Sequence, residues 1–170
     1  MTKKNNAAPA KSGYRAPEPP EQGEFKRTRV ALLVTRWNVE IVDSLLAGAR
    51  RCLAEWGVAP KHVEEFRVAG AFELPLAASA LMASGRCDAV ITLGAVIRGG
   101  TPHFEYVAGE CSRGLREAAQ QHQVALGFGV LTVDTVEQAV ERAGAGPDNK
   151  GYEATAAALE MVRLLRSVDD

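Results

Sequence analysis

From residue 25 onward this chain alternates two kinds of hydrophobic pattern, and that alternation limits the fold more than any other feature. Strand-like runs lie at 30–34, 63–68, 89–97 and 124–133. Between and after them, apolar residues recur at helical spacing. Over 40–56 these are Ile41, Leu45, Leu46, Ala49, Leu53 and Trp56, with Gly57 as a stop signal. The segment 72–84 is rich in Leu and Ala and ends at Gly85. Over 101–121, Phe104, Val107, Ala108, Cys111 and Leu115 form one stripe. A short helix over 135–143 has Thr135 and Gln138 placed for a capping box. A last helix over 152–168 carries Ala156, Leu159, Val162 and Leu165 on one side. Four strands alternating with helices predict an α/β chain: a three-layer αβα sandwich around a four-stranded parallel sheet.

Residues 1–24 break the pattern. They contain no Leu, Ile, Val or Phe, and Pro9, Pro17, Pro19 and Pro20 interrupt any regular element. Such a stretch cannot bury enough apolar surface to offset its ordering entropy, so it reads as a disordered tail before a folded domain over 25–170. Lys3, Lys4, Lys11 and Arg15 make its first half basic, but it is too short and too little amphipathic for an organelle-targeting peptide. The formal net charge of −1 gives no footprint for nucleic acid or a membrane surface. No apolar run has the length of a membrane span, and no secretory leader is visible, so a cytoplasmic protein is expected. Cys52, Cys87 and Cys111 match no zinc or redox spacing and read as buried reduced thiols.

In parallel α/β folds ligands bind outside the carboxyl ends of the strands. The first three such ends carry Trp37-Asn38, Ala71-Phe72-Glu73, and Gly99 through His103. These loops are expected to converge. Gly99-Gly100-Thr101 followed by a helix start forms either an anion cradle or a simple tight turn. His103, in the first turn, is either a proton-transfer group or a histidine held by a backbone carbonyl. Pro102 is expected at the first helical position. Trp37 and Phe72 either stack on a planar heterocycle or pack at the rim. Glu73 either binds hydroxyls or complements a helix dipole. Arg98 leans toward an anion or pairs with a carboxylate. Arg142 suits the end of its helix, and Asn149-Lys150-Gly151 reads locally as a turn with a solvated lysine. His62 and His122 read as surface loop residues. Phe128 fits no crevice: it stands about five residues before the end of its strand, so only a neighbouring subunit could bring it to a ligand at the loops.

Several motifs, in order and at the right spacing, resemble the lumazine synthase family. They are TRWN at 35–38, GAFELP at 70–75, GAVIRGGTPHFEYVAGE at 94–110, FGVLTVDTVEQAVERAG at 128–144 and NKG at 149–151. Together with the helix leading to Glu160-Met161 they span roughly 25–166. The resemblance implies a flavodoxin-like sandwich, with room for an extra N-terminal edge strand on oligomerisation. It implies condensation of 5-amino-6-(D-ribitylamino)uracil with 3,4-dihydroxy-2-butanone 4-phosphate to 6,7-dimethyl-8-ribityllumazine, phosphate and water, in riboflavin biosynthesis, with no metal or redox cofactor.

Residue by residue, the resemblance implies that Trp37, Ala71, Phe72, Glu73, Ala95, Val96, Ile97, Phe128 and Lys150 bind the pyrimidine and its ribityl chain. Gly100, Thr101 and Arg142 would bind the butanone phosphate, and His103 would carry protons. Phe128 and Arg142 would come from an adjacent subunit. Trp37 stands where the family commonly has Phe, Ala69 where it has Pro, and Gly100 where it has a larger residue. A homo-pentamer is implied. The short link 144–149 favours assembly into a 60-subunit icosahedral shell, with riboflavin synthase as its cargo. A non-catalytic lumazine or flavin binder, a shell-forming protein and an archaeal-type riboflavin synthase are the alternatives on this scaffold. Retention of His103, Thr101 and Arg142 argues against the binder and the riboflavin synthase.

Overall fold

The computed structural model describes Gly13, Pro17, residues 19–21 and residues 23–169. The expected tail and any N-terminal edge strand therefore lie mostly outside the described residues. Four parallel strands, β1 (Val30–Thr35), β2 (Val63–Val68), β3 (Ala89–Ile97) and β4 (Ala125–Val133), form one sheet in the order β2-β1-β3-β4. The helices are α1 (Val39–Glu55), α2 (Leu74–Ala83), α3 (His103–His122), α4 (Val136–Arg142) and α5 (Lys150–Asp169).

The period of two along the strands sorts the core into two layers. Val30, Leu32 and Val34 of β1, with Ile91, Leu93 and Ala95 of β3, face α1, α4 and α5. Ala31, Leu33, Val90 and Val96 face α2 and α3, meeting Leu74, Met82, Cys111 and Leu115. This is the expected three-layer sandwich. The three cysteines are free and buried, and burial pushes the Cys111 thiol up to about 11. The two sheet edges differ. On β2, Glu64, Glu65 and Arg67 point outward and pair with Arg86, Arg50 and Asp43. β4 carries no charged residue, and Phe128 and Thr132 stand exposed along it.

The helix ends depart from the sequence pattern in instructive ways. The segment expected as one helix from residue 72 begins as a one-turn 3-10 helix, Ala71–Glu73, and becomes α-helical only at Leu74. α3 begins at His103, and Pro102 is its N-cap rather than its first residue. At α4 the box is shifted by one residue. Gln138 N donates to Thr135 Oγ1, but the Gln138 side chain accepts from Asp134 N instead of Thr135 N. His122 is the last residue of α3, half-buried, with its ring bonded to Ser79 Oγ. Glu24, assigned by composition to the tail, pairs with Arg163 at 2.6 Å.

Two contacts fix where α5 starts. A Cβ on Gly151 would lie 2.0 Å from the Leu45 carbonyl oxygen, and one on Gly48 would lie 1.9 Å from Asn149 Oδ1. The backbones of α1 and α5 therefore touch where only glycine fits. At the opposite end of the sheet, Asp88 clasps Arg29. The carboxylate accepts from Arg29 N at 2.8 Å and from its guanidinium at 2.7 Å. Partial burial raises the Asp88 pKa, but the Arg29 bonds outweigh it and hold the carboxyl below the usual aspartate range.

Gly151→Ala should cost about 3 kcal/mol, because the obstacle is backbone and cannot rotate away. Gly99→Ala should change stability little, since nothing lies within 4 Å of the added carbon. Urea unfolding of both variants checks the contrast. Asp88→Asn should cost about 1 kcal/mol at neutral pH, discounted for the half-exposed arginine. The folded-state pKa is depressed, so this contribution is present above the unfolded value and is lost as pH falls through the folded one. The gap between wild type and Asp88→Asn, followed by melting temperature against pH, should therefore close in acid.

Candidate active site

The loops after β1, β2 and β3 converge as their positions in a parallel sheet require. β1 ends with a tight reversal at Asn38, which adopts the left-handed conformation (φ 57°, ψ 48°) that asparagine tolerates better than most residues. Its side chain does not cap α1. It donates instead to the Ala95 carbonyl at 3.0 Å, tying the first loop to the third strand. The reversal throws Trp37 outward, 71% exposed, with its Cδ1 3.0 Å from where a Cβ of Gly70 would be. Gly70 thus leaves room for the indole and, through its N–H, donates to Glu73 Oε2 at 2.9 Å. That bond closes the 3-10 turn. It holds Ala71 buried while Phe72 projects, 59% exposed.

β3 pairs with β1 only as far as Leu93, opposite Val34. Its last residues run past the end of β1, although they remain paired with β4 up to Ile97–Val133. Ala95, Val96 and Ile97 therefore border the crevice with backbone groups that have no strand partner on the β1 side. The Asn38 amide takes one of them.

Beyond Ile97 the loop is held by Arg98, which the sequence left unassigned. Its guanidinium pairs with Glu105 of α3 and, at 2.8 Å, with Asp134 before α4, and it lies 4.2 Å over the Phe104 ring. Glu105 and then Asp134 push the guanidinium pKa up, and Arg98 holds the Glu105 carboxyl below its usual range. Arg98 is thus a structural brace at the start of α3. Gly99, Gly100 and Thr101 are exposed, and neither glycine has a positive φ or a crowded Cβ position. The turn itself does not demand glycine, so the missing side chains leave open room above the N–H groups of α3. His103 opens α3 and is exposed. Among the described residues no backbone carbonyl holds its ring.

Phe128, Arg142 and Lys150 are not at this crevice. They line a separate depression of about 380 Å³ along the β4 edge, with Thr132 and Glu153. Phe128 pairs with Thr92, about 16 Å short of the carboxyl end of the strand. Lys150 is not a solvated turn residue. It is the first residue of α5, half-buried, and pairs with Glu153 at 2.5 Å. Arg142 donates to the Gln138 carbonyl at 3.0 Å and otherwise faces the depression. Asn149, read in the sequence as part of a turn, is buried and caps α5 by accepting from Tyr152 N at 3.0 Å. Its signal was an asparagine just before a helix, obscured by the glycine two residues on.

Fold and crevice together define a doubly covered parallel α/β protein, a class in which small molecules bind at the carboxyl end of the sheet. Within that class, the sequence model of the 6,7-dimethyl-8-ribityllumazine synthase family matches residues 27–166. The chain belongs to this family of transferases of riboflavin biosynthesis. Among the described residues no group of His, Cys, Asp and Glu could hold a metal ion, and no helix is long and apolar enough to cross a membrane.

The chain has two tryptophans, Trp37 exposed at the crevice and Trp56 buried at 2%. Binding of a pyrimidine or lumazine at the three loops should shield Trp37 from iodide quenching and leave the Trp56 emission unchanged. In Trp37→Phe the ligand-dependent change should vanish.

Proposed function

We propose that this protein condenses 5-amino-6-(D-ribitylamino)uracil with 3,4-dihydroxy-2-butanone 4-phosphate, releasing 6,7-dimethyl-8-ribityllumazine, phosphate and water. The observation that carries this reading is the meeting, at one end of the sheet, of an exposed indole, unpartnered strand backbone and the open N-terminus of a long helix. Trp37 and Phe72 offer faces to a flat ring. The backbone of Ala95, Val96 and Ile97 offers donors and acceptors to its polar edge. Ala71 and Glu73 border the space for a polyol chain. Gly100, Thr101 and the first N–H groups of α3 suit a phosphate, since the helix dipole and free donors point the same way.

His103 then carries the protons. The substrate amine attacks the ketone and water leaves to give an imine. Phosphate is eliminated, and the ring closes with loss of a second water. Each step moves a proton over a short distance, which an exposed imidazole beside both substrates can relay. Departure of phosphate builds negative charge that Arg142 and the α3 N-terminus would stabilise. Holding two substrates together supplies much of the remaining acceleration.

Arg142, Phe128 and Lys150 lie apart from His103 within one chain, so in this reading a neighbouring subunit supplies them. Exposed apolar side chains support such contacts: Leu76, Tyr106, Val136, Val140 and Phe128 are each more than two-fifths exposed. The protein is read as a cytoplasmic homo-pentamer, with the short link before α5 favouring closure of pentamers into a shell. Sedimentation distinguishes the two sizes.

Mixing the purified protein with both substrates should raise lumazine absorbance and orthophosphate together. Ligand binding without either product would sink the enzymatic reading, and conversion of lumazine to riboflavin would replace it. Arg142→Ala should weaken the phosphate substrate far more than the pyrimidine. A shared site also predicts complementation. His103→Ala and Arg142→Ala, each strongly impaired alone at a limiting phosphate substrate, should regain activity when unfolded together and reassembled, toward about a quarter of wild type by random mixing. No recovery in well-formed mixed oligomers would place both residues in one subunit's site.

A further inference from the structure

Between α4 and α5 lies one buried amide with both its nitrogen and its oxygen engaged. Asn149 is 2% exposed. Its two amide hydrogens are shared among the carbonyls of Ala143 and Gly144, each at 2.9 Å, and Ser44 of α1 at 3.1 Å. Its Oδ1 accepts from Tyr152 N. The donor side thus grips the end of α4, and the acceptor side caps the start of α5. Carbonyls at a helix end otherwise turn to water and the last turn frays. Here they are held by a single side chain that is itself wedged against Gly48. Arg51 reinforces the same link from outside. It donates to the Ala145 and Gly146 carbonyls at 2.9 and 3.0 Å, and its guanidinium lies 5.1 Å over the Tyr152 ring.

The residues on either side of this clamp are Arg142, the last of α4, and Lys150, the first of α5. Both line the β4 depression. We propose that Asn149 is a positioning residue for the phosphorylated substrate. Its amide donors fix the end of α4, and so the place from which Arg142 reaches the anion. The two sides of the amide serve different cations: the donors set Arg142, and the acceptor sets Lys150. The proposal rests on the reading of Arg142 as the phosphate-binding arginine.

Asn149→Ser separates the two functions, because a serine hydroxyl still caps α5 while the donors to α4 are lost. The test is steady-state kinetics with each substrate varied in turn, and calorimetric titration of inorganic phosphate. Asn149→Ser should raise the KM for the butanone phosphate by about 10- to 100-fold, the scale of a misplacement near 1 Å. The KM for the pyrimidine should stay near the wild-type value, and phosphate binding should weaken in proportion. Arg51→Met loosens the link from the surface and should shift the same KM in the same direction by less. It decides the matter if Asn149→Ser does not fold. A lowered melting temperature with both KM values unchanged, or both rising together, would reduce Asn149 to a packing residue. If the wild type does not turn over this substrate pair, the assigned function falls and the proposal with it. If the wild type is active and the variants keep its ratio of KM values, the positioning role alone falls.

Discussion

The start of α5 presses its backbone against the backbone of α1, and much of the molecule is arranged around that contact. Gly151 lies against the Leu45 carbonyl, and Gly48 opens the slot that Asn149 fills. Because α5 covers β3 and β4, this point of approach decides how the helix lies across half the sheet. It also decides where the short link from α4 must end. The contact contributes no functional group of its own, yet Lys150, which lines the β4 depression, is the first residue of the helix it seats.

A second brace works at the other end of the same problem. Arg98 pairs with Glu105 at the start of α3 and with Asp134 ahead of α4. One solvent-facing guanidinium thereby couples the loop that carries Gly100, Thr101 and His103 to the element that ends in Arg142. Exposed ion pairs contribute little to stability. Their value here is geometric, because a loop without side-chain bulk at two glycines has few other means of holding a shape.

The sheet, its layers and the convergence of three loops were legible in the sequence, because they follow from hydrophobic period and from the shared direction of parallel strands. The strand ranges of β2 and β3 were readable to the residue. What stayed hidden depends on long-range contacts that local pattern does not encode. Asn149-Lys150-Gly151 has the composition of a turn, but Gly151 is needed for the approach of α1, 106 positions away at Leu45. Asn38 was legible only as part of the first loop, and its reach across to Ala95 was not. Arg98 could not be assigned because its two carboxylates sit on different elements. The resemblance gave roles to Phe128, which local reasoning fitted to no crevice, and to Arg142, which it read only as suiting the end of its helix. The structure puts both in a depression along the β4 edge, apart from the loops.

The distance of Phe128 from the loops has a further consequence. On the proposed reading each protomer carries two unlike halves of a site on two unlike patches. In the ring of that reading the halves meet head to tail, the crevice of one protomer against the β4 depression of the next. An open row of protomers would always leave one loop crevice and one β4 depression unmatched at its ends. Among head-to-tail assemblies, only a closed ring makes as many complete sites as it has subunits. Turnover per chain would then report ring closure, and the last subunit to join would complete two sites at once.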